Sequence, residues 1–553
     1  MKVPVSVLLL AGGLVVGAPR AAANSVPAAP DEPFFPGTGA HSRKITTDSP
    51  EAQRYFDQGM AFLSGFNHDE AIRSFRAAAH LDPKCAMAWW GVALAYGPHI
   101  NLPVVFPDRA QAAWEALRQA RVLAGGSNAL EQALIEALGH RYADPQPDDR
   151  GPLDRAYADA MRRVWHDHPN DADIGAWFAE ALMDLRPWDQ WAPDGTEQPG
   201  TAEVLETLEA VLKLDPAHPL ANHLYIHAVE ASPHPERADA AANLLRGLTP
   251  GLGHLVHMPS HTDIRCGRWL AAITANQQAI EADREYRALA RKPPDFYRVY
   301  IAHNRHMLAY AAMMSGRAGI ALTSIRTMVT EIPADWLRQN AAAVDGYIAM
   351  PYEVMVRFGK WDELLAEPEP ADYLPLCRTL WHAARAVAFA AQGNLPAARA
   401  EETACRTAAG QVPADVQFGN NAAHDVITVA QHMAAGEILF RDGKVNEGLV
   451  ELRTAIKSED ALHYDEPPEW ILPVRHALGA ALLQTGRLAE AEQVYRDDLV
   501  RLPENGWSLF GLARTLALEN RGDEAAAVKA RFKAVWAGAD LELTSSCLCQ
   551  PGV

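Results

Sequence analysis

Two histidine-bearing segments of this chain repeat each other at a distance of 34 residues, His223 with His257 and His227 with His261. A period of that length holds one pair of packed helices and its turn, a unit that cannot bury its apolar face alone and must stack on copies of itself. A chain of this kind grows by adding helix pairs, not around one sheet. Its 553 residues exceed the size at which a single compact core stops growing, as such growth requires. Ala-rich helical runs dominate over β-branched alternation, and 49% hydrophobic with 22% charged residues is ordinary for a folded soluble protein. The expected fold is all-α, a helical-repeat solenoid with inserted loops.

The first repeat is nearly complete. Asp48-Ser49-Pro50-Glu51 reads as a helix start, with Ser49 as N-cap and Pro50 at the first helical position. With Ala52 at position 1, Gly59, Ala71, Phe75, Ala78 and Pro83 fall at positions 8, 20, 24, 27 and 32. Small residues there let paired helices approach, and the proline ends the second one. On these residues the chain resembles the tetratricopeptide repeat superfamily. The same register is met by helix pairs ending at Pro169, Pro216, Pro250, Pro333 and Pro503. It is met again by turn glycines Gly267, Gly316, Gly393, Gly443 and Gly486, with Ala272, Ala321, Ala398 and Ala491 about five residues after four of them. Irregular spacing between these glycines implies insertions. Phe66-Asn67-His68-Asp69-Glu70-Ala71, the stretch Gly253 to His261 and Tyr464-Asp465-Glu466-Pro467-Pro468 also resemble a group of exported bacterial tetratricopeptide proteins, a resemblance that implies no reaction.

Chemistry concentrates in the middle. His223, His227 and Glu230 stand at i, i+4 and i+7, and His254, His257 and His261 at i, i+3 and i+7, so each set shares one helix face. Pro259 should kink the second helix, and Pro351 falls at the same repeat position. The resemblance implies that positions 2, 5, 9 and 12 of each first helix face a groove. Position 5 then reads Ala176, His223, His257, His306, Ala349, and position 9 reads Glu180, His227, His261, Tyr310, Glu353. His254 and His303 occupy position 2 and Glu230 position 12.

Packed helices lie ~8–10 Å apart, so imidazoles on neighbours can converge on an ion ~2.0–2.1 Å from each nitrogen. The candidate metal ligands are His223, His227, His254, His257, His261, His303 and His306, enough for one metal or two. Glu180, Glu230 and Glu353 are the candidate catalytic carboxylates, as acceptors that orient imidazole N–H groups, as ligands, or as a general base. Imidazole suits copper, zinc, iron and nickel, with copper the first expectation and zinc the second. His-Glu-x-x-His and Cys-x-x-Cys are both absent from the sequence. The same histidines also fit peptide contact or polar packing. Two functions follow: a metalloenzyme acting on a small molecule or peptide in the groove, or a protein- or peptide-binding scaffold. Met258 and Met307 read as core, and His476, alone at position 5 of a distant repeat, as an ordinary polar residue.

The rest of the chain frames this centre. Lys2, the apolar run Val5 to Ala18 and Ala21-Ala22-Ala23 read as a secretory signal over 1–23, cleaved after Ala23, which implies a secreted or periplasmic protein. Residues 24–48 read as a flexible lead-in, 49–185 as N-terminal repeats, 186–360 as the central histidine-rich repeats, 361–540 as C-terminal repeats and 541–553 as a cysteine-containing tail. A net charge of −19 opposes nucleic acid and anionic lipid, and neither is expected as a partner. Of six cysteines, Cys85, Cys266, Cys377 and Cys405 read as buried structural residues. Cys547 and Cys549 read either as soft ligands folded back toward a metal or partner thiol, or as part of a frayed end. Two insertions leave helix geometry, Leu102 to Asp108 and Arg186 to Gly195. The second carries Trp188 and Trp191, either as a lid over the groove or as a plug sealing an interrupted repeat.

Overall fold

The computed structural model describes residues 32–292 and 296–550. The expected signal segment and the lead-in as far as residue 31 lie outside them. Among the described residues the chain is a succession of helices, and the only strands are the two-residue pair Gln417–Phe418 and Asn421–Ala422. No described helix is long and apolar enough to cross a membrane. Contacts cluster into two units, one of residues 32–262 with Ala275–Asn304, the other of Asp263–Thr274 with 305–550, a division that passes through the expected central block.

In the first unit the helix Pro50–Ser64 begins as its sequence dictates, with the Ser49 side chain accepting from Ala52 N at 3.1 Å. It packs on His68–Leu81, which packs on Ala86–Ala95. Phe75 explains the glycines on either side of it. A Cβ on Gly59 would come within 2.4 Å of its ring, and one on Gly91 within 2.7 Å, so the ring seals two helix contacts at once. The second unit repeats the device at the same offsets, with Tyr495 between Gly479 (2.4 Å) and Gly511 (2.2 Å). This recurrence is the tetratricopeptide-like packing expected from the sequence.

All five turn glycines, Gly267, Gly316, Gly393, Gly443 and Gly486, have φ between +71° and +80°. Phe66 holds the equivalent place five residues before Ala71 in the first repeat, with φ +55° although it carries a bulky side chain. Such a residue costs roughly 1–3 kcal/mol and persists where its surroundings over-determine it.

Residues 32–48 form no helix but are tied to the first unit. Arg43 pairs with Asp171 and Asp173 at 2.8 Å each, Gly37 O accepts from Gly251 N, and Phe35 and Ile45 are buried. Cys85, Cys377 and Cys405 are buried as expected, whereas Cys266 is half-buried.

Candidate metal centre

Five of the six clustered histidines sit on helices whose starts are fixed locally. In Pro219–Glu230 the proline takes the first turn and His218 Nδ1 accepts from Ala221 N, which aims His223, His227 and Glu230 along one face. The next histidine segment starts at Gly253 for a steric reason: a Cβ there would lie 2.1 Å from the Asp283 carboxylate. That carboxylate accepts from Tyr297 Oη at 2.9 Å and Asn304 Nδ2 at 2.7 Å, so it holds three segments together. The expected Pro259 kink is a full break, since Gly253–His257 ends before Met258 and Pro259–Arg265 begins after it. Pro351 stands at the same kind of break, between Ala341–Ile348 and Met350–Arg357.

Hydrogen-bond partners set the tautomers. His223 Nδ1 faces the Ser64 carbonyl at 2.7 Å, His227 Nδ1 faces Glu230 Oε1 at 2.7 Å, and His261 Nδ1 faces Glu230 Oε2 at 2.5 Å. A carbonyl or carboxylate oxygen only accepts, so each Nδ1 carries a proton, and in His223 and His227 the Nε2 atom is left to present a lone pair. His257 Nδ1 faces Asn276 Oδ1 at 2.7 Å and follows the same rule. The Nε2 atoms then converge. His257 Nε2 and His261 Nε2 stand 2.7 Å apart, and His223 Nε2, His227 Nε2 and both nitrogens of His254 are buried with no protein hydrogen-bond partner. Lone pairs gathered together repel unless a proton or a metal cation stands among them. Imidazoles held by an acceptor on the far nitrogen are the arrangement metal-ligating histidines adopt.

Two all-histidine triads have ligand atoms within 4.8 Å of one another, His223 with His227 and His254, and His257 with His261 and His303, with His227, Glu230 and His261 as a third such group between them. They adjoin, with ring centroids 5.3 Å apart for His227 and His261 and 5.7 Å for His254 and His257. Either triad can hold a metal ion. Burial, reinforced by neighbouring imidazoles, holds His223, His254 and His257 well below the usual histidine range, and burial also lowers His227. Burial would raise Glu230, yet the His261 and His227 rings pull it down to about 2, so it stays ionised. A carboxylate that acidic orients rings better than it abstracts protons.

The other three expected site residues are placed elsewhere. His306, only three positions after His303, belongs to the second unit, where its ring meets Tyr347 edge-on at 6.0 Å, and it joins neither triad. A step of three residues turns a side chain by about 60° and raises it ~4.5 Å, enough to separate the two. Glu180 is buried beside Asp184 and Arg141; burial first and Asp184 second raise it. Glu353 lies in the second unit, where it lines an apolar cavity with Leu380, Val387 and Trp470 and accepts from Ile471 N at 3.1 Å. Burial pushes it up to about 8.

Several contributors carry no sequence signal of their own. Ser64 O and Asn276 set two tautomers. Phe66 lays its ring 4.3 Å from His223 and 4.7 Å from His99, and His99 in turn lies 4.3 Å from His68. His68, the first residue of its helix, is buried, and burial pushes it down to about 3. Tyr300 packs 4.3 Å from His254. The second insertion reaches this place: Trp188 Nε1 donates to Oδ1 of Asn101, the residue before the first insertion, at 3.0 Å while its ring stands edge-on to His227 at 5.2 Å, and Trp191 Nε1 donates to Ala228 O. Trp188 is half-buried with φ +59°, a second non-glycine in left-handed conformation beside the same triad.

Two further groupings are of another kind. Asp173 is claimed by His41 (2.8 Å), His218 (3.1 Å) and the Arg43 guanidinium (2.8 Å), an ion network with a cation already in place. In the second unit Cys547 and Cys549 are buried, joined to each other as a disulfide, and packed against Glu437. Ser546 ties this tail to Tyr495 (2.7 Å) and to His476 O (2.9 Å).

No family model matches the chain, and no curated protein matches it. Among solved structures, the human IFIT1 dimer with PPP-AAAA is similar over 89% of this chain and 92% of that one, at 12% identity and a TM-score of 0.32. Yeast Tom70 is similar over 88% and 93%, at 12% identity and a TM-score of 0.28. Scores this low carry no conclusion about site or partner.

Proposed function

We propose that the chain is an exported helical-repeat metalloprotein with a pair of transition-metal ions in its first unit, and that it uses them on a small molecule. One ion takes His223, His227 and His254, the other His257, His261 and His303. The observation that carries this reading is the pair of all-imidazole triads, in the first of which the buried Nε2 atoms of His223 and His227 lack a protein partner while their opposite nitrogens face acceptors. Copper is the first choice and zinc the second, because an all-imidazole set without thiolate suits both and the affinity order favours copper. Glu230 is the positioning residue, one carboxylate orienting a ligand of each ion. Three donors per ion leave a position open for an incoming ligand, as catalytic sites require. The basic, apolar and small-residue sequence of the first 23 residues supports export.

Elemental analysis after copper or zinc loading tests the proposal. Two ions per chain are expected, with a metal-dependent rise in melting temperature; at 100 times Kd the stabilisation is ~2.7 kcal/mol. A chain that takes up no metal and melts alike with and without copper, zinc, iron or nickel would overturn it.

A further inference from the structure

We infer that the ion pair, in its cuprous form, is a dioxygen-binding centre, a conclusion that rests on the two-ion reading above. Charge comes first. The six ligands are imidazoles, which bind a metal as neutral donors, five of them are on buried residues, and Glu230 is a carboxylate that faces one ring of each triad. Two divalent ions would set four positive charges against that one, while two cuprous ions set only two, and uncompensated charge in a buried site is costly. Three imidazoles also satisfy a cuprous ion and leave it open to a further ligand.

Geometry limits that ligand. Rings of one triad touch rings of the other at centroid separations of 5.3 and 5.7 Å, so a molecule meeting both ions is of diatomic size. The walls favour an uncharged one. Phe66 and Tyr300 are buried against His223 and His254, and Trp188 reaches from His227 toward solvent. Two matched one-electron donors side by side suit a small apolar molecule that accepts two electrons. The step balances without another reactant: each cuprous ion gives one electron, dioxygen takes both and becomes peroxide bound between two cupric ions, and no proton moves. Release of dioxygen returns both electrons.

The test uses the full chain loaded anaerobically with cuprous copper. Two copper ions per chain are expected, and admitting dioxygen should consume one molecule per chain. It should also produce a new charge-transfer absorption with no cupric electron-spin signal, and evacuation should reverse it. His303 is half-buried, and His303→Asn should keep about one copper, with dioxygen uptake falling from one per chain to none. Should that variant not fold, the unmodified chain decides alone. Two bound copper ions that take up no dioxygen, or that give the spin signal of isolated cupric ions, overturn the inference and leave the two-ion reading standing. A chain that binds no copper overturns the copper assignment and this inference together.

Discussion

His257 and His476 hold the same repeat position in the two units, and their surroundings treat them in opposite ways. His476 Nε2 faces Asp498 Oδ2 at 2.9 Å, and the same oxygen accepts from Asn505 Nδ2 at 2.9 Å and Ser508 Oγ at 2.7 Å. Its other nitrogen, Nδ1, is buried with no protein hydrogen-bond partner, yet among the described residues His476 joins no group whose ligand atoms could hold a metal. Around His257, acceptors take the Nδ1 protons and the Nε2 atoms are left facing one another. A buried histidine beside a carboxylate, even one with an unpartnered second nitrogen, is therefore not informative alone; what distinguishes a site is that nitrogens of several imidazoles converge.

The largest effect should come from the histidines themselves. His257→Ala breaks one triad and should reduce bound metal from two ions to at most one, read by elemental analysis, while His476→Ala and His306→Ala should leave two. Equal losses from His257→Ala and His476→Ala would erase the comparison. Next, Asp498→Ala strands three buried donors and should destabilise the fold by ~3 kcal/mol in denaturant unfolding with metal content unchanged. Glu230→Gln keeps the shape but replaces an ionised acceptor shared by two ligands, so metal affinity should weaken 10–100-fold, measured by competition with a chelator.

The smallest effect sharpens a second contrast, between turn glycines and Phe66. Nothing lies within 4 Å of a Cβ placed on Gly443, so Gly443→Ala isolates the backbone cost of its φ of +80° and should lower stability by ~1 kcal/mol. Phe66→Gly relieves that same strain but removes a buried ring, so it should destabilise the apo protein by more than Gly443→Ala does, as thermal melting would show. A stabilised Phe66→Gly would mean that the ring does not hold the imidazoles in place.

Much of this was legible in the sequence for physical reasons. The 34-residue echo, the i, i+4 pairs His223/His227 and His257/His261, and the break at Pro259 all follow from helical periodicity and the missing proline N–H. Repeat position holds for His303 and fails for His306, because a shared register does not say where a side chain is directed once the chain enters another unit. The tautomer-setting groups were not legible. Ser64 acts through its carbonyl, which every residue has, and Asn276 is one amide among many until packing brings it to His257. Phe66 offered a faint signal, a bulky residue where other repeats carry glycine.

The bond from Ser64 O to His223 spans 159 residues, and His303 completes the second triad still further along the chain. That span orders events in time. While the chain emerges, an ion can meet only isolated His-x-x-x-His pairs, with no acceptor fixing their rings and no third ligand. High-affinity sites come into being only once residues 64 to 303 have folded together, and by then most of their ligands are closed off from solvent. Metal must therefore enter a finished protein through a transient opening, and the half-buried His303, with Trp188 beside His227, marks where such an opening would cost least.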